Sequence, residues 1–98
     1  MIHIEPEQLE IVKEILKKYV PEAEIRVFGS RYKHTNHAYS DIDIAIKQDE
    51  PIPIQLMIKL IEELEESNLK YRVDIVDWNQ ISEAFKKVIE EGYETIAW

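Results

Sequence analysis

The chain has 98 residues, 45% of them hydrophobic and 33% charged, which fits one folded domain near the lower end of the usual size rather than a disordered chain. Its 20 acidic and 12 basic residues give a formal net charge of −8, a balance that argues against tight binding to a nucleic-acid backbone. No cysteine is present, which excludes disulfides and thiolate metal sites.

No cationic apolar leader opens the sequence and no apolar run reaches membrane-spanning length, so the expectation is a soluble cytoplasmic protein. From Pro6 to about Val20, Leu9, Val12, Ile15, Leu16 and Tyr19 recur at three- and four-residue steps, which predicts an amphipathic helix. Pro6 suits its first turn, Lys17 and Lys18 its last, and Pro21 stops it. Glu24 to Phe28 alternates as a first strand and exits at Gly29. Residues 30–39 are polar and aperiodic and read as a loop or irregular turn.

Asp41 to Ile46 predicts a second strand, followed by a connection through Pro51 and Pro53. A second helix is expected from Ile54 to Glu66, with Met57, Leu60, Ile61 and Leu64 on one stripe and Glu62, Glu63, Glu65 and Glu66 facing water. Ser67 and Asn68 break it. Tyr71 to Val76 predicts a third strand, and Ile81 to Glu91 a third helix with Ile81, Phe85, Val88 and Ile89 inward and Gly92 just past its end. Tyr93 to Trp98 is an apolar-rich tail that could add a strand or lie on a partner. The order helix, strand, strand, helix, strand, helix predicts an α+β fold, one small mixed sheet packed with about three helices, filling a single domain over residues 1–98.

The chemistry concentrates between Val27 and Ile46. Gly29 and Ser30 end an apolar run: a missing Cβ lets backbone approach a ligand, and the serine N–H and hydroxyl can donate to phosphate oxygens. Asp41 and Asp43 stand at i and i+2 on a strand and therefore share a face, with Ile42, Ile44 and Ile46 on the other. Two carboxylates so placed repel unless a cation lies between them, and magnesium or manganese with oxygen ligands is its natural identity. On the third strand Asp74 and Val76 share one face and Val73 and Ile75 the other; Asp77 is a competing third acid. Each feature alone has a plainer reading: an exposed Asp-x-Asp, or a Gly-Ser turn. His34 and His37 read as exposed loop residues, because the loop lacks the further ligands of a closed zinc site. Tyr71, Trp78, Tyr93 and Trp98 cluster in the last third, as core packing or as a partner-binding face.

Gly29-Ser30-Arg31, the spacer, Ser40-Asp41-x-Asp43 and the later Asp74 resemble the signature of minimal nucleotidyltransferases of the DNA polymerase β-like superfamily. Within it they are most similar to the small MNT proteins paired with HEPN-domain partners, as antitoxins of toxin–antitoxin systems. The resemblance spans nearly the whole chain and implies the nucleotidyltransferase fold. It implies that Asp41, Asp43 and Asp74 form the catalytic and metal-binding acids, that Gly29, Ser30, Arg31 and Ser40 hold the nucleotide, that Mg²⁺ (or Mn²⁺) is the cofactor, and that ATP is the substrate. The implied reaction moves AMP from ATP to a hydroxyl, a tyrosine of the HEPN partner. Tyr32, Lys33 and His34 depart from the family pattern, which usually has a further basic residue and a glycine here. The alternatives are a nucleotide-binding subunit without turnover and an acidic structural subunit. Homo-oligomerisation stays open.

Overall fold

A computed structural model of the chain describes residues 4–29 and 41–96. Helix α1 spans Pro6–Tyr19, with proline in its first turn, Glu7 near its start and Lys17 and Lys18 at its end. Strand β1 (Glu24–Phe28) is followed by β2 (Ile42–Lys47), helix α2 (Ile54–Glu66), β3 (Val73–Asp77), a short 3₁₀ turn (Trp78–Gln80), helix α3 (Glu83–Glu90) and β4 (Tyr93–Ile96). The expected element order is found, and the tail supplies a fourth strand.

The strands form one mixed sheet in the order β3-β2-β1-β4. β1 is antiparallel to both neighbours, pairing Phe28 with Asp43 on one side and with Tyr93 on the other. β2 and β3 are parallel, because α2 carries the chain back between them. On one face Ile25, Val27, Ile42, Ile44 and Ile46 pack under α1 and α2 against Val12, Leu16, Leu60 and Leu64, all of these side chains buried. The other face carries a smaller cluster of Ala45, Trp78 and Ile89, flanked by Phe28, Phe85 and Tyr93. Alternation along β1 and β2 thus serves two unequal cores.

Several boundaries and faces differ from the sequence expectation. Asp41 precedes β2 rather than opening it. α3 starts at Glu83 rather than Ile81, because the Ser82 hydroxyl accepts the Phe85 N–H at 3.1 Å and fixes the start of the helix there. Val88, expected inward, is 57% exposed, and Ile61 lies at the open margin of the α2 stripe. Glu63 does not simply face water: its Oε1 accepts from Lys18 Nζ at 2.9 Å and from Tyr19 Oη at 2.6 Å, tying α2 to α1 and holding its carboxyl below the ordinary value. Trp78 is buried in the second core. Trp98 lies outside the described residues. Among the described residues no helix is long and apolar enough to cross a membrane.

Candidate active site

The site forms at the end of β1 and the starts of β2 and β3, on the face carrying the smaller core. Phe28 delivers the chain to Gly29, which has φ +76°, a left-handed conformation that side chains rarely adopt. A Cβ on Gly29 would strike the Asp43 carboxylate, with Asp43 Cγ at 3.3 Å. The glycine is therefore required twice, by its dihedral and by the acid pressed against its backbone. Phe28 is steadied by an edge-to-face contact with Phe85 of α3, the ring centroids 5.8 Å apart.

Asp43 and Asp74 are direct partners across the parallel β2–β3 pair. Asp41, two residues before Asp43, lies close enough to act on it electrostatically. Burial first, then the charges of Asp74 and Asp41, push the Asp43 carboxyl above its ordinary value. All three acids are half-buried, so each keeps a route to a ligand. Arg72 Nε approaches Asp74 Oδ1 at 3.4 Å, but both side chains are open to solvent and the pair is weak.

Asp77, the competing third acid, has another role. It is buried; its Oδ2 accepts the Ile52 N–H at 2.7 Å and its Oδ1 the Asn79 N–H at 3.0 Å. It pins the β2–α2 connection to the end of β3 and faces away from Asp43. The Asp-x-Asn spacing of an Asx turn signals only its bond to Asn79. Arg72 too was legible, at i−2 from Asp74 on a strand, but was not singled out. Ser30, Arg31 and Ser40 lie outside the described residues, as do Lys33, His34 and His37.

Among the described residues no three acids close into a ready-made metal cage. Magnesium seldom needs one: it is held by one or two carboxylates, water and substrate phosphates. An all-oxygen set with one carboxyl already strained by its neighbours fits such an ion.

The family model for polymerase beta nucleotidyltransferases matches residues 10–96. The chain belongs to that family. This nucleotidyltransferase is 41% identical over 95 residues to a relative named as a protein adenylyltransferase, MntA of Haemophilus influenzae, covering 97% of this chain and 83% of the relative. It is 36% identical over 88 residues to a protein of Methanocaldococcus jannaschii named for the same activity, covering 82% and 89% of the two chains. Its fold matches a toxin–antitoxin crystal structure containing AMP-PNP, with TM-score 0.75 and 26% identity over 88% of this chain and 69% of that one. It also matches a complex of a tri-AMPylated Shewanella oneidensis HEPN toxin with an MNT antitoxin, with TM-score 0.65 over 90% of this nucleotidyltransferase and 70% of that chain. At 24% identity this second likeness concerns the fold.

Proposed function

We propose that this nucleotidyltransferase moves AMP from ATP onto a tyrosine hydroxyl of a HEPN-domain partner and so serves as the antitoxin of a toxin–antitoxin pair. The observation that carries the reading is the convergence of Asp41, Asp43 and Asp74 beside Gly29, in a family whose relatives are named for AMP transfer to protein. The AMP-PNP toxin–antitoxin complex of a structural neighbour supports the same nucleotide and a toxin as the partner.

In the reaction the hydroxyl oxygen attacks the α-phosphorus of ATP. The bond from that phosphorus to the bridging oxygen breaks, and pyrophosphate leaves. Asp41 and Asp43 would hold Mg²⁺, which when bound neutralises charge on the phosphates. Asp74, on the strand at the sheet's edge, accepts the proton of the incoming hydroxyl. Gly29 lets the Asp43 carboxylate close on its backbone, and Ser30, Arg31 and Ser40 supply donors to the phosphates. Residues 1–98 serve as one transferase domain, and the acceptor brings most of its own binding surface.

The test is incubation of the protein with α-labelled ATP, Mg²⁺ and its co-purifying partner. Label on a partner tyrosine, lost with EDTA and in the Asp41→Asn Asp43→Asn variant, is expected. Magnesium-dependent ATP binding without label transfer would overturn the transferase reading in favour of a nucleotide-binding subunit.

A further inference from the structure

We propose that the groove along the free edge of β3 is the docking track for an extended segment of the protein acceptor, which it leads to Asp74. This inference rests on the reading of the chain as a protein adenylyltransferase. β3 ends the sheet, with β2 on one side and no strand on the other among the described residues. The Arg72 carbonyl accepts the Ile42 N–H at 2.8 Å, towards β2. Successive residues of a strand turn their backbone groups to opposite sides, so Val73 and Ile75 present theirs outward, as a template for an added strand.

Beside this edge lies a groove of about 570 Å³ whose apolar walls are Ile61, Leu64, Leu69 and Ile75, and whose lining includes Asp74 itself. Ile61 is 36% exposed, and its stripe continues along α2 through Ile58 at 49% and Ile54 at 70%. An open apolar wall of this extent is a mark of an interaction surface.

Three observations choose the occupant. The groove contains Asp74, so a chain lying in it passes beside the group assigned to receive the acceptor's proton. The outward amides of Val73 and Ile75 fit extended backbone rather than a helix. The charged lining of the groove is mixed, Glu65 and Asp74 beside Lys70 and Arg72, and a second copy of a chain with net charge −8 would bring like overall charge against this one. The segment that fits is extended, turns apolar side chains to the walls of the groove and carries the acceptor hydroxyl.

The test compares steady-state labelling by the parent with Ile61→Arg and the milder Ile61→Gln, using α-labelled ATP, Mg²⁺ and the co-purifying HEPN-domain partner. KM for the partner is expected to rise about tenfold or more in Ile61→Arg and less in Ile61→Gln. KM for ATP and the melting temperature of the free chain should match the parent. An unchanged partner KM in both variants, with transfer intact, overturns the docking track and leaves AMP transfer standing. If the parent itself transfers no label, the functional reading falls, and partner affinity by calorimetry decides the groove: weakened binding in Ile61→Arg retains it as a docking surface, and equal binding overturns it. A parent dimer that Ile61→Arg converts to monomer, at unchanged partner KM, assigns the edge to a second copy and overturns the proposal.

Discussion

Gly29 and Asp43 are locked together: the glycine's left-handed backbone sits against the acid's carboxylate with no room for a single methyl group. The end of β1 and the start of β2 thereby set the position of the acid together.

Gly29→Ala is therefore expected to act twice. A non-glycine residue at φ +76° costs about 1–2 kcal/mol, and the new methyl displaces Asp43. Stability measured by urea denaturation should fall by at least that much, and AMP transfer should fall more than about tenfold, because misplacing a reacting group by a fraction of an ångström is costly. In a double-mutant cycle with Asp43→Ala the two effects should be strongly non-additive, since shortening Asp43 makes the room that the added methyl group needs. Additive effects would place the damage elsewhere.

Asp43 should also make the free protein less stable than it need be. Its carboxyl is raised above the ordinary value of 3.8 by burial and by Asp74 and Asp41. Between that value and the raised one the folded state binds more protons than the unfolded state, so stability falls as pH rises through this window. Below 3.8 the penalty is absent, and above the folded value it is fully present. Asp43→Asn removes it. The variant should melt above the parent at neutral pH, with the gap closing as pH is lowered through the window. Asp43→Asn should at the same time abolish AMP transfer, so that stability and activity move in opposite directions. A gap independent of pH would refute the electrostatic account.

The two acids of β3 should separate as cleanly. Asp77→Ala orphans the N–H groups of Ile52 and Asn79, and loss of two charge-assisted bonds at a buried site should cost about 3 kcal/mol or more. Asp77→Asn retains one acceptor oxygen and should cost less. Neither change reaches the acids around Asp43, so whatever protein remains folded should keep its magnesium-dependent ATP affinity. Asp74→Asn should do the reverse, leaving the melting temperature at or above the parent's, since it relieves part of the repulsion on Asp43, while stopping transfer. Thermal melts read beside label transfer distinguish the two patterns.

The fold was legible wherever hydrophobic period and punctuation agreed. Period two placed Ile42, Ile44 and Ile46 opposite Asp43, and Pro6 and Pro21 bracketed α1, as found. Family pattern and strand parity favour Asp74 as the third acid, but neither gives its pairing with Asp43 across β2 and β3, and nothing local in the sequence could say that Asp77 turns inward to hold Ile52, 25 positions away. The apolar period runs on through Ile81 and predicts a longer α3, but the Ser82 cap overrides it. Val88 fell on the wrong side because α3 covers only a narrow core of Trp78, Ala45 and Ile89, which leaves the rest of its apolar face open. Glu63 lies within a run of glutamates, and no periodicity in that run marks it as the acceptor of Lys18 and Tyr19.

Arg26 was not anticipated at all, since its charge in a strand reads as exposed. It is buried between the rings of Trp78 and Tyr93, its guanidinium carbon 4.8 and 4.3 Å from their centroids, and its Nε pairs with Glu24. Tyr93 opens β4, so this stack ties the last strand and the 3₁₀ turn to the centre of the sheet. Among the described residues the Nη1 donor is buried without a partner, which offsets part of what the stack contributes. Arg26→Ala removes the stack and leaves a cavity between two aromatic rings, and should cost about 2–4 kcal/mol. Arg26→Met fills most of the same volume, touches both rings through its thioether and discards the orphaned donor, so it should cost less than about 1.5 kcal/mol. Urea denaturation of the two variants decides between these roles. Equal, large losses would mean that the cation itself, rather than the packing of its side chain, holds β4 in place.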